Sequence, residues 1–152
     1  MTTVCLLGGE GTDLRRELLS RETAREALTT YDLYSPFENT VALQTVSLGT
    51  AVSLCNDLDW YLSRFVEEAL IREPSVDDEE WLSRDLAAAI RNERVDPEAT
   101  GRHLRVYGLR DGTLLDPMYL ARTGGGRPSY DLYDVEETVT VRVTEEEFTE
   151  PM

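Results

Sequence analysis

Between Leu48 and Arg72 apolar side chains return at helical spacing, at Leu48, Ala51, Val52, Cys55, Leu58, Leu62, Phe65, Val66 and Ala69. A run of this length commits a chain to burying one continuous stripe, so it predicts a central core helix. Leu54, Tyr61 and Leu70 widen the stripe and predict cover on more than one side. Pro74 stops it, since proline cannot donate an amide to a helix. Ser75 then offers an N-cap, and acids fill the first turn of DDEEWLSRDLAAAIRNERV, as the helix dipole favours. With Trp81, Leu82, Leu86, Ala89 and Ile90 as its apolar face, a second long helix is expected over 76–92.

The flanking segments read mostly as strands. TVCLL at 3–7 is a short buried strand; Gly8, Gly9 and Gly11 turn the chain, and Thr12 is positioned to cap a helix over 13–28 with a break near Ser20. A β-branched stretch predicts a strand at 40–46, and Asp96 with Pro97 opens a short helical turn that ends at Gly101. LRVYGL at 104–109 leads through Asp111-Gly112 into TLL, a hairpin signal within an expected meander, and strict alternation over 138–144 predicts a half-buried strand. TGGGRPS at 123–129 reads as a flexible loop, and the tail 148–152 is expected to fray. The fold class expected is α+β: a single domain over 1–152, two long helices packed on a mainly antiparallel sheet formed by the C-terminal third plus the N-terminal strand.

Charge narrows the chemistry. Thirty acids face 15 basic residues, every one of the 15 an arginine, for a formal charge of −15. Without lysine the chain has no P-loop lysine, no Schiff-base lysine and no lysine general base. His103 is the only histidine, and Cys5 and Cys55 lie too far apart for a C-x-x-C pair, so no metal site and no cofactor are expected. Both cysteines sit in apolar runs, where a buried thiol is the ordinary outcome. The start MTTVCLLGGEG lacks a basic n-region, and no window holds the apolar length of a membrane span. No membrane contact is expected, and the predicted compartment is cytoplasmic.

Carboxylate excess repels itself in dilute buffer and is screened at molar salt, where the Debye length is about 3 Å. An acidic, lysine-free chain whose bases are arginine resembles the soluble proteins of extremely halophilic archaea. Through LLSRETAREAL, TVSLGTAVSL and EPSVDDEEWLSRDLA the chain is also similar to a small uncharacterised protein family of such organisms. That resemblance implies a habitat and carries no activity.

Two features could bind a ligand. The loop Gly8, Gly9, Gly11 and Thr12 follows a strand and precedes a helix, where free amides can meet phosphate; without G-x-G-x-x-G spacing, and with Glu10 inside it, a tight turn is the competing reading. Residues 102–127 carry Arg102, Arg105, Arg110, Arg122 and Arg127 against Asp111 and Asp116, a net of +3, so the rest of the chain sums to −18. With His103, Tyr107 and Tyr119 interleaved, such a stretch could grip phosphate or stack on bases. The competing structural reading pairs these arginines with acids of a neighbouring strand, near Glu136, Glu137 or 145–147. No nucleophile signature accompanies His103, and no catalytic residue is assigned. The expected function is therefore a non-enzymatic cytoplasmic interaction or regulatory protein acting on a protein partner or as a homodimer. The alternative is a nucleotide- or nucleic-acid-binding module using the Arg/Tyr face, and an enzyme with His103 as acid or base ranks third.

Overall fold

A computed structural model describes residues 1–122 and 137–149. Eight strands form one sheet: β1 (Thr2–Gly8), β2 (Thr40–Thr45), β3 (Val66–Arg72), β4 (Trp81–Ser83), β5 (His103–Arg110), β6 (Thr113–Leu114), β7 (Met118–Ala121) and β8 (Glu137–Arg142). Their spatial order is β2-β1-β3-β4-β8-β5-β6, with β7 also on the outer side of β5, and among the described residues only the β4–β8 pair is parallel. Six helices accompany it: α1 (Leu14–Leu19), α2 (Glu22–Leu28), α3 (Leu48–Asp57), α4 (Asp59–Phe65), α5 (Arg84–Arg91) and α6 (Glu145–Thr149).

The long central helix is not there. Its first part is α3 and α4, separated where Leu58 leaves helical dihedrals at φ −94°, ψ 6°, and at Val66 the chain turns extended and becomes β3. Ala69 and Ile71 of β3 face the helical side while Leu70 faces the other, and two-sided burial in a short apolar run looks the same for strand and helix. The expected helix over 76–92 is likewise β4 followed by the eight-residue α5. Ser83, not Ser75, caps it, accepting from the Leu86 amide at 3.2 Å. The acids before it close a turn instead: Asp77 Oδ2 accepts from the amides of Glu79 (2.9 Å) and Glu80 (2.6 Å).

The remaining corrections are smaller. Asp13 rather than Thr12 caps α1, accepting from Arg16 N at 3.2 Å. Four of the eight strands come from the first 83 residues, so the sheet is not mainly C-terminal. β6 and β7 both pair with β5, which is not a meander. The break near Ser20 separates α1 from α2, and Asp111-Gly112 turns the β5–β6 hairpin with φ of 51° and 80°, the conformation of a type I′ turn. Where fraying was expected, α6 carries a reciprocal capping box, Thr144 N donating to Glu147 Oε1 (2.9 Å) and Glu147 N to Thr144 Oγ1 (3.1 Å), and Phe148 packs inward. The predicted loop 123–129 and residues 150–152 lie outside the described residues.

Both faces of the sheet are buried, which is why TVCLL reads as an unbroken apolar run. On one face Val4 stands between Leu43 and Ile71, Leu6 between Val41 and Ala69, and the layer of α1 to α5 covers them. On the other, Cys5, Leu7, Leu70, Trp81, Tyr107 and Val141 form a second core under Phe37 and Phe148. This face is closed mainly by the sheet itself. Arg105 of β5 pairs with Glu68 of β3, although β4 and β8 lie between them in the strand order. Glu38, just ahead of β2, donates its amide to Gly112 O at 2.7 Å and accepts from Thr113 Oγ1 at 3.1 Å, so the two ends of the sheet meet. Where the two ends of the sheet approach, a cleft opens between the turn after β1 and the segment 113–117.

Candidate functional site

The cleft has a volume of about 1290 Å³. Its floor is apolar, from Leu7, Val66 and Tyr107; one wall is the glycine turn 8–11 and the opposite wall is 113–117, which brings Leu114, Leu115 and Pro117. Four carboxylates (Glu10, Glu38, Glu67, Asp116) and one guanidinium (Arg64) line it. The field inside therefore favours cationic groups.

Asn39 builds the glycine wall. It sits at φ 55°, its backbone oxygen accepts from Gly8 N (2.9 Å), its Oδ1 accepts from Leu14 N (3.0 Å), and its Nδ2 donates to Gly9 O (3.3 Å). Gly9 N donates to Phe65 O (2.9 Å) and Thr12 N to Gly9 O (3.0 Å). Three amides of the sequence-predicted phosphate loop, those of Gly8, Gly9 and Thr12, are thus engaged internally, while those of Glu10 and Gly11 have no acceptor among the described residues. Gly8 is required by space: a Cβ there would stand 2.5 Å from Asn39 Nδ2. Gly8→Ala should displace that side chain, uncap Leu14 and lower stability by about 1–3 kcal/mol, read in a thermal melt.

Behind the floor lies a buried polar group of four. Arg105 contacts Glu68, hydrogen-bonds Tyr119, and shares the interior with Tyr107. Burial pushes the Glu68 carboxyl up to about 7 in spite of Arg105, with Glu147, Asp85 and Glu67 pushing the same way. Burial also raises the Tyr107 phenol. Burial opposes the Arg105 cation, yet Glu68, Tyr107 and Tyr119 together hold its pKa above the ordinary arginine value. Among the described residues Arg105 Nε and Nη2 have no hydrogen-bond partner, although Nη2 lies within ion-pair distance of Glu68.

A second buried cluster occupies the other end of β4. Glu80 accepts from Arg122 Nη2 (2.5 Å) and Arg142 Nε (2.7 Å); Arg142 also reaches Asp77 (3.4 Å) and Thr100 Oγ1 (3.0 Å). Burial works against ionised Asp77, but the Glu80 and Glu79 amides and both guanidiniums hold its pKa low. Gly101, at φ +98°, is packed beneath these guanidiniums.

The arginines singled out in the sequence do not share one open surface. Arg105 turns inward to Glu68 and Arg122 crosses to Glu80, while Arg102 and Arg110 are exposed and Arg127 lies outside the described residues. The carboxylates that meet Arg105 and Arg122 come from β3 and the residue just before β4. Tyr119 faces Arg105 in register, and His103 packs on Phe148 with ring centroids 4.8 Å apart. Burial pushes the thiol of Cys5 up to about 12 and of Cys55 up to about 11, which keeps both protonated and poor as nucleophiles. Among the described residues no three His, Cys, Asp or Glu side chains gather to hold a metal ion, and no helix is long and apolar enough to cross a membrane.

Sequence reasoning missed Glu68, Glu80, Arg64 and Trp60. The signal for Glu68 was its spacing of two from Leu70, which places both on one face once 66–72 is read as a strand.

A family model matches residues 2–109. The chain belongs to DUF5804, a family of unknown function. The part matched to DUF5804 runs from β1 almost to the end of β5, and so includes the glycine wall, Arg64, Glu68, Arg105 and Tyr107. The wall at 113–117, β8 and α6 lie beyond it. No curated protein and no solved structure matches the chain.

Proposed function

We propose that this is a non-enzymatic regulatory protein that takes an extended segment of a partner protein into its cleft, in the cytoplasm of a salt-accumulating archaeon. The cleft carries the reading. At about 1290 Å³ it exceeds the range of roughly 300–1,000 Å³ usual for small-molecule sites. Its apolar floor suits aliphatic side chains, and the four carboxylates at its walls select arginines between them. The contact surface thus moves from the arginine stretch to the acidic cleft. A nucleotide or nucleic acid would meet these carboxylates, and of the Arg/Tyr face within 102–127 that the alternative reading used, Arg105 and Arg122 are ion-paired inside the protein. The lysine-free charge of −15 supports the habitat.

Two pools of free-acid octapeptides test the reading on immobilised full-length protein in about 2 M KCl, where screening leaves the apolar contacts dominant. One pool is built from Leu, Val, Phe and Arg, the other from Leu, Val, Phe and Glu. Retention of the arginine pool alone is expected, and Glu38→Gln with Asp116→Asn should weaken it about threefold. Equal retention of both pools, or of neither, rejects the proposal.

A further inference from the structure

We propose that the bound segment ends in the cleft, its free C-terminal carboxylate held by Arg64 and by the backbone amides of Glu10 and Gly11. This rests on the peptide reading of the cleft and adds its polarity.

Arg64 is the guanidinium of the cleft. Arg21, Arg84, Arg105, Arg122 and Arg142 each lie within ion-pair distance of a carboxylate. Arg64, exposed on the last turn of α4, meets none among the described residues. Its hydrogen bond is to its own helix, from Nη1 to Trp60 O at 3.1 Å. Its guanidinium lies 3.9 Å from the centroid of the Trp60 ring, which is itself 48% exposed. Stacking on the indole fixes the guanidinium plane before any ligand arrives, and leaves the Nε and Nη2 donors open. An arginine held in place without a carboxylate, at the edge of an acid-lined cleft, is arranged to receive an anion.

The glycine turn supplies the other donors. The bond from Gly9 N to Phe65 O ties this turn to the residue following Arg64. Next along the turn, the amides of Glu10 and Gly11 have no acceptor among the described residues, and Gly11 at φ +78° faces open space, with nothing within 4 Å of a Cβ built on it. Helix α1 is not part of the site, since Asn39 and Asp13 already take the Leu14 and Arg16 amides. The anion is a single charge: Glu10 and Glu67 nearby oppose a phosphate dianion, whereas a carboxylate followed inward by arginine side chains matches one guanidinium and several acids. Backbone donors beside a guanidinium are a recurring means of capturing a peptide C-terminus.

The test compares arginine-containing octapeptides selected on the immobilised protein, each made as free acid and as C-terminal amide, binding to the full-length chain with tryptophan fluorescence as readout. The acid should bind about tenfold more tightly than the amide, the size of a charge-assisted hydrogen-bonded contact. Arg64→Gln should bring the acid down to the affinity of the amide and leave the amide unchanged, while Arg64→Lys keeps part of the preference. Equal binding of acid and amide to the natural protein overturns the carboxylate clamp and leaves the cleft reading standing. Binding of neither form overturns both.

Discussion

Arg105→Met should destabilise the protein by about 3–5 kcal/mol at pH 8, the cost of leaving a buried carboxylate without its partner, and by much less at pH 5. Glu68 is the reason for the difference. Its carboxyl is raised from an ordinary 4.5 to about 7 by burial, so between those values the folded state holds a proton that the unfolded chain has released. Stability from this group is therefore complete below 4.5 and is lost as pH rises through about 7. Removing Arg105 takes away the one nearby cation that favours the ionised form, which moves the folded value higher and steepens the loss. Urea denaturation of both proteins at the two pH values measures it. Glu68→Gln should flatten the slope of the natural protein over the same window. In the double variant Arg105→Met with Glu68→Leu most of the lost stability should return, because a buried ion pair exchanged for apolar side chains is often neutral. A cost for Arg105→Met that is equal at both pH values, or below about 1 kcal/mol, would show that the pair does not hold β5 over β3. Asp77 acts in the opposite sense: its lowered pKa supplies stability above 3.8 that is lost as pH falls further.

What could be read in the sequence was local. The apolar run at 3–7, the alternation at 138–144 and the left-handed pair Asp111-Gly112 each carry their structure within a few residues, and β1, β8 and the β5–β6 turn follow them. The strands β3 and β4 were not legible, because a short strand buried on both faces shows no alternation. VEEALIR continues the period of α4 on paper, and only its place between β1 and β4 makes it extended. The arginine excess at 102–127 was real as arithmetic and misleading as a surface. Two of its charges, Arg105 and Arg122, are met by Glu68 and Glu80, which were assigned to helices, and the curl of the sheet that brings Arg105 to Glu68 has no sequence signature. The glycine turn was found after a strand and before a helix, as observed. Its meaning changed because the other walls, at 38–40, 64–67 and 113–117, arrive from separate parts of the chain.

Transfer from about 3 M to about 0.1 M KCl should lower the melting temperature by roughly 10–20 °C, the equivalent of a few kcal/mol in a chain of this size. The fold carries −15 in a compact body, and the Debye length lengthens from under about 3 Å to about 10 Å across that change, so repulsion among surface carboxylates acts over several neighbours instead of none. The pairs that hold the interior, Arg105 with Glu68 and the two arginines on Glu80, are buried and little screened, so added salt should not weaken them in proportion. Screening and salting-out are separable. Neutralising four exposed acids that make no ion pair among the described residues, with Glu26→Gln, Asp32→Asn, Glu93→Gln and Glu98→Gln, should raise the melting temperature at about 0.1 M KCl and leave it nearly unchanged at about 3 M. If the gain is the same at both concentrations, the acids matter for a reason other than mutual repulsion. If the natural protein melts at the same temperature throughout, its composition is not an adaptation to salt, and the cytoplasm proposed for it is wrong.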